Sequence, residues 1–351
     1  MTDALLNDDV VMAELDTDEN TDGRGVNRFG YRGWSGELES GAMRWTVISA
    51  VGIRRAWQSR WLRRMLFFAW MPAVLFGIGF FVWEQAALFP EWQRPAMNFL
   101  GGLLPAPVAQ EIGESIRRGD LQSSRHTVWA SLLQTLFRYP QGVLMVMVIG
   151  LIAPPMISQD VRSRAFLLYF SRPLTRGEYL LGKLASVWVY LSLISTLPAL
   201  ALYVLGVLLS PSLNVVTATW DLPLRIVAAS VVLMLPTSVL ALCFSSLTQE
   251  SRYAGFAWFA SWILGWFTFA AATAAEAFNA QGNAGRMGRE MVLEQSSWTH
   301  VSLYHTLGRV QSWVFGFADF REVLVSAVIL VAVTVIAMAI LLRRISAPMR
   351  V

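Results

Sequence analysis

Apolar runs and charges alternate along this chain on a long period. Six intervals between consecutive charges are long and free of charged side chains: Arg64 to Glu84, Arg138 to Asp160, Lys183 to Asp221, Arg225 to Glu250, Arg252 to Glu276 and Glu322 to Arg343. A helix crossing the hydrocarbon core needs about 20 largely apolar residues. One ionised side chain at its centre costs roughly 2.5 to 3.5 kcal/mol on insertion scales, against a few tenths gained per Leu. Six such runs predict six spanning helices, over about 66–88, 139–158, 184–209, 226–248, 254–275 and 323–342. Barrel strands would alternate in polarity over about ten residues, and no run does. The expected fold class is all-α integral membrane, with its transmembrane domain over residues 66–345. Pro72, Pro154, Pro155, Pro198 and Pro236 fall in or beside these runs, where neighbouring helices can restore the lost hydrogen bonds.

The segments between the runs differ in character. Residues 1–41 open with eight acidic side chains up to Asp22, followed by a Gly-rich stretch, the signature of a disordered tail. Over 42–65, Ile53, Trp57 and Trp61 at i, i+4, i+8 form an apolar strip, and Arg54 and Arg55 lie among them. That pattern predicts an interfacial helix lying on the leaflet before the first span. Residues 90–138 predict short helices around Val108 to Arg117 and Val128 to Phe137. Residues 276–322 open with polar, Gly-bearing FNAQGNAGRMGRE and continue into aromatic SSWTHVSLYHTLGRVQSWVFGF. This suits a re-entrant or interfacial element on the outer face before the last span. Residues 346–351 form a short tail.

Composition agrees with lipid as the solvent. Only 15% of the 351 residues are charged and 55% are hydrophobic, for a mean hydropathy of +0.48. A soluble domain has about 25% charged residues. The one cysteine, Cys243, can form no internal disulfide. A net charge of +4 does not imply nucleic acid, because the basic residues cluster between apolar runs instead of forming one patch. Residues 1–65, 158–183, 249–253 and 343–351 hold eighteen of the 28 Lys and Arg. The positive-inside rule then places both termini in the cytosol. The acidic start lacks a signal-peptide pattern, so the first span is expected to target the chain, to a bacterial cytoplasmic membrane.

Motifs for chemistry are few. Gly177 to Lys183 fits G-x-x-x-x-G-K, but Leu184 follows where a phosphate loop needs Ser or Thr, and a helix starts at once. His300 and His305 are five apart and lack an acidic partner, so no metal set forms. No nucleophile elbow exists. The charge-free runs lack the carriers of a proton relay. The expectation is no catalytic residue, no metal and no cofactor in this chain.

The distinctive segment is SQDVRSRAFLLYFSRPLTRGEYLLGKL, Ser158 to Leu184. Asp160, Arg162 and Arg164 open it, Phe166 to Phe170 form a short apolar strip, and Arg172, Pro173 and Arg176 make a polar turn. Thr175 is placed to cap a helix with Glu178 in its first turn, running through Lys183 into the third span. A short amphipathic segment pinned between two spans suits docking into a cytosolic partner.

On Asp160, Leu167-Leu168, Ser171 to Arg176, Tyr179-Leu180 and Gly182-Lys183, the sequence resembles the ABC type-2 transporter permease family. It differs at Arg164-Ala165, where members commonly have an acidic residue and a small turn. The resemblance implies a permease subunit of an ABC-type exporter that pairs with a second permease subunit, as homo- or heterodimer, in membrane lipid. A separate cytosolic ABC ATPase would carry ATP and Mg. Segment 160–178 would couple the two, with Arg162, Arg172 and Arg176 meeting acidic residues of the ATPase and Phe166 and Phe170 as anchors. The residues leave another reading open, a membrane scaffold or intramembrane enzyme with a site on the outer loops around His126, His300 and His305.

Overall fold

The computed structural model describes residues 43–165 and 174–346, without the side chains of 275–277, 279–295 and 346. Phe166, Phe170, Arg172, Pro173 and both terminal tails lie outside the described residues. Among those described, every regular element is helical. In chain order these are α1 (Arg44–Trp57), α2 (Arg60–Phe68), α3 (Met71–Leu88), α4 (Gln93–Leu103), α5 (Ala106–Arg118), α6 (Arg125–Leu136) and α7 (Gly142–Arg162). There follow α8 (Arg176–Ile194), α9 (Thr196–Leu209), α10 (Asn214–Ala218), α11 (Leu222–Leu247), α12 (Ser251–Gln295), α13 (Leu303–Phe315) and α14 (Phe320–Ser346).

Six helical stretches are long and apolar enough to cross a membrane: Arg60–Leu88, Arg125–Arg162, Arg176–Leu209, Leu222–Leu247, Ser251–Ala274 and Phe320–Ile345. The chain is an all-α, multi-pass integral membrane protein. Three of the spans are composite. The first bends between α2 and α3, ahead of Pro72, which has no N–H to continue the ladder. The second contains a π-helical turn, Phe137–Gln141, around Pro140. The third breaks at Ser195, just before Pro198. The fourth is the centre of the bundle: α11 packs on α7, α13 and α14, and 67% of its apolar window is buried against 22% for the fifth and sixth. Those outer two leave rows such as Phe256, Ile263, Phe267 and Val328, Val331, Val335 exposed, as lipid-facing surfaces must be.

Two segments differ from the sequence expectation. The helix expected over 42–65 is two helices, because Ser59 caps α2 by accepting a hydrogen bond from Leu62 N at 3.3 Å. Trp61 therefore belongs to the first span. α1 packs along α8, with Ile53 partly buried against the core while Trp57 and Trp61 stay exposed. The polar stretch after the fifth span continues the helix to Gln295. Its Ala, Met, Glu, Gln and Arg are good helix formers and outweigh a few glycines. Between the fifth and sixth spans, α13 is too short to cross, at about 20 Å for its length. It packs into the bundle against α11 and α14 and ends at Gly316, whose φ of 87° gives the left-handed cap.

Candidate functional site

The loop between the second and third spans rises from a buried knot of charge. Asp160 sits in the last turn of α7. Its carboxylate Oδ2 lies 2.7 Å from Lys183 Nζ and accepts a 2.7 Å hydrogen bond from Tyr179 OH. Lys183 Nζ also donates to the Met156 carbonyl at 2.7 Å. Tyr179 and Lys183 are i, i+4 on α8, so both reach α7 from one face. The Asp160 and Lys183 side chains are only 8% and 11% exposed. Two buried charges of opposite sign thus tie together the helices at the two ends of the loop.

The sequence dictates how each end is shaped. α7 passes Ser163 into Arg164, whose φ of 53° is in the left-handed region and stops the helix. α8 starts at a capping box: Thr175 Oγ1 accepts from Glu178 N at 3.3 Å, and Glu178 Oε2 accepts from Thr175 N at 2.7 Å. Pro154 and Pro155 disturb the ladder of α7 just before the knot. Ser245 of α11 repairs it, accepting from Ile157 N and Ser158 N at 3.1 and 3.0 Å and donating to the Pro154 carbonyl at 2.6 Å.

α1 is fastened to the same helix. Ser186 Oγ donates to the Ser49 carbonyl at 3.2 Å and Tyr190 OH to the Ile53 carbonyl at 2.6 Å. Trp57 stacks on Tyr190 with ring centroids 6.4 Å apart. A Cβ on Gly182 would lie 2.7 Å from Ile48 Cβ and 2.8 Å from the Trp45 carbonyl, so only glycine allows this approach. Any tilt of α1 is felt by α8.

The other expected site residues are spread around this base. Arg162 pairs with Glu250 at 3.2 Å, a solvent-exposed link of small energy to the turn between the fourth and fifth spans. Arg164 and Arg176 are exposed, as are Arg54, Arg55 and Trp61. Gly177 to Lys183 is helix and Lys183 is engaged with Asp160, so no phosphate cradle forms there. The three histidines have separate partners. His126 Nε2 is 3.0 Å from Asp221 Oδ1, His300 Nδ1 is 3.2 Å from Ser326 Oγ, and His305 stacks on Phe269 at 3.7 Å. Among the described residues no group of three or more His, Cys, Asp and Glu could hold a metal.

Sequence reasoning missed a second buried pair at the opposite end of the bundle. Glu84, fully buried, accepts from Arg125 Nη2 at 3.0 Å and from Trp129 Nε1 at 3.2 Å, joining the first and second spans. The signal was Glu84 itself, a charge four residues inside the end of α3. Nearby, Asp221 also meets Arg225 Nε at 2.7 Å.

Comparison with known families matches residues 108–345 to the family described as ABC-2 family transporter protein. The chain belongs to the ABC-2 transporter family. The matched stretch begins in α5 and ends in the sixth span, so the charge knot at Asp160, the whole of α8 and α13 lie inside it. α1 and the first span precede it. As a member of this family, the chain is a membrane permease subunit of an ABC-type transporter. The search of curated proteins finds no match.

Proposed function

We propose that this permease is the membrane half of an exporter in a bacterial cytoplasmic membrane, driven by a separate cytosolic ATPase that carries the ATP and Mg. Both termini and the 160–178 segment face the cytosol, and two permease subunits pair around the translocation path. The observation that carries this reading is the buried Asp160–Lys183–Tyr179 knot at the base of a basic loop.

The mechanism follows from rigidity. An ATPase closing on ATP can bias the membrane subunit only if its push reaches the spans without being absorbed locally. Exposed Arg164 and Arg176 offer charge to an acidic partner. The knot beneath them makes the ends of α7 and α8 move as one piece, and α1 rides on α8. A force on the loop would then tilt the second and third spans together, through helices that cross the membrane. This chain supplies the two packings, and hydrolysis takes place on the partner.

Purification of the tagged chain from native membranes tests the proposal. A Walker-type ATPase should co-elute, and the complex should hydrolyse ATP while the permease alone should not. A well-folded preparation that carries no ATPase, with no ATPase gene beside this one, would overturn it.

A further inference from the structure

The π-helical turn in the second span places Arg138 beneath α13, in a position the transport reading does not use. A Cβ on Gly308 of α13 would collide with the Arg138 guanidinium, and one on Gly142 would lie 3.1 Å from the Tyr304 ring. Two glycines therefore let α13 close over the arginine. Arg138, Tyr304, Gln311 and Trp262 line one small cavity here, with room for about one water-sized group.

Tyr304 OH donates to the Arg138 carbonyl at 2.9 Å, but two buried donors at this cavity lack acceptors. Gln311 is 2% exposed and Trp262 is 7% exposed, yet Gln311 Nε2 and Trp262 Nε1 have no hydrogen-bond acceptor. Among the described residues no carboxylate pairs with Arg138. His305 next to it adds no charge, because burial and the Arg138 cation push its imidazole down to about 4. The site thus presents two buried donors beside the half-buried Arg138 cation, a combination that an anionic oxygen satisfies with charge-assisted hydrogen bonds. A water could satisfy the donors but would leave the guanidinium without a counter-charge.

Its depth suits such a ligand. Arg138 is 22 residues from Asp160, about 33 Å at 1.5 Å per residue, close to the roughly 30 Å of the hydrocarbon core. With Asp160 at one boundary, Arg138 lies at the other, level with lipid phosphates. We infer that Arg138, Gln311 and Trp262 form a subsite under α13 for one anionic oxygen of a phosphate or carboxylate group, carried by a lipid headgroup or by a small free anion.

The test is binding to the purified permease in neutral detergent, which needs neither ATPase nor cargo. Native mass spectrometry would titrate phosphatidylglycerol against phosphatidylcholine, and thermal shift would titrate inorganic phosphate and acetate. One saturable site is expected for the anionic lipid or for a free anion, with Arg138→Gln weakening it at least tenfold and Trp262→Phe about threefold or more. Saturation by the lipid alone assigns a headgroup, and saturation by phosphate or acetate assigns a free anion. Equal affinity in wild type and Arg138→Gln, or no saturation by any probe, overturns the inference. Should Arg138→Gln fail to fold, Trp262→Phe and Gln311→Leu carry the test, and unchanged affinity in both overturns it.

Discussion

Lys183 Nζ and Asp160 Oδ2 stand 2.7 Å apart, with both side chains about nine-tenths removed from solvent. Removing one member of a buried pair leaves an uncompensated charge and costs about 3–5 kcal/mol, whereas replacing both by apolar groups can be nearly neutral. Lys183→Met should therefore lower the melting temperature of the detergent-purified protein sharply. The double variant Asp160→Leu with Lys183→Met should recover most of the loss. A double variant as unstable as the single one would show that the pair is not the source of the effect.

Gly182 allows α1 to lie against α8, and a methyl group there would press on Ile48 Cβ and the Trp45 carbonyl. Gly182→Ala should cost about 1–3 kcal/mol, as overpacking does. The damage should concentrate in α1, seen as faster hydrogen exchange of its amides while α11 stays protected. Uniform loosening of both helices would contradict this seating.

Arg164 ends α7 in a left-handed conformation that costs a residue with a Cβ roughly 1–2 kcal/mol. Arg164→Gly removes that strain and should raise stability by up to about 1 kcal/mol, given the entropy glycine adds to the unfolded chain. If Arg164 also serves the ATPase, the same variant should bind the ATPase less tightly while being more stable. A stabilised variant with unchanged ATPase affinity would remove Arg164 from the docking surface.

The six spans were legible because insertion energetics penalise every misplaced charge. Val108 to Arg117 and Val128 to Phe137 are also expected to be helical; the first falls in α5, and the second in α6 and the first residue of the π-helical turn. The partnerships were not legible. Asp160 and Lys183 each looked like a charge bounding a span, and their meeting depends on how α7 and α8 pack after the loop. Glu84 and Arg125 are far apart in sequence and pair only because α3 and α6 run side by side. The seating of α1 on α8 depends on Gly182, one glycine among 25, and hydropathy does not register it. Arg138 read as the edge of a charge-free run, whereas the π-helical turn at Pro140 places it under α13.

Acid should loosen the end of the bundle where His126, Asp221 and Arg225 meet. Burial opposes ionisation of Asp221, but the His126 hydrogen bond and the charges of His126 and Arg225 outweigh it, holding the carboxyl below its ordinary value of 3.8. A carboxyl depressed on folding contributes stability that is complete above the unfolded value and is lost as pH falls through the folded one. The melting temperature of wild type should exceed that of Asp221→Asn by a constant margin above pH 3.8. The margin should close below it. A margin that never closes as the pH falls would contradict this assignment.

Sidedness of the basic loop is the claim on which the transport account rests, and a single cysteine reads it. Cys243 is buried, so Arg176→Cys would supply the reactive thiol. A membrane-impermeant maleimide should label Arg176→Cys in inverted membrane vesicles and leave it unlabelled in intact spheroplasts. Labelling in intact spheroplasts would place the loop outside the cell, beyond the reach of any cytosolic ATPase, and would contradict the account.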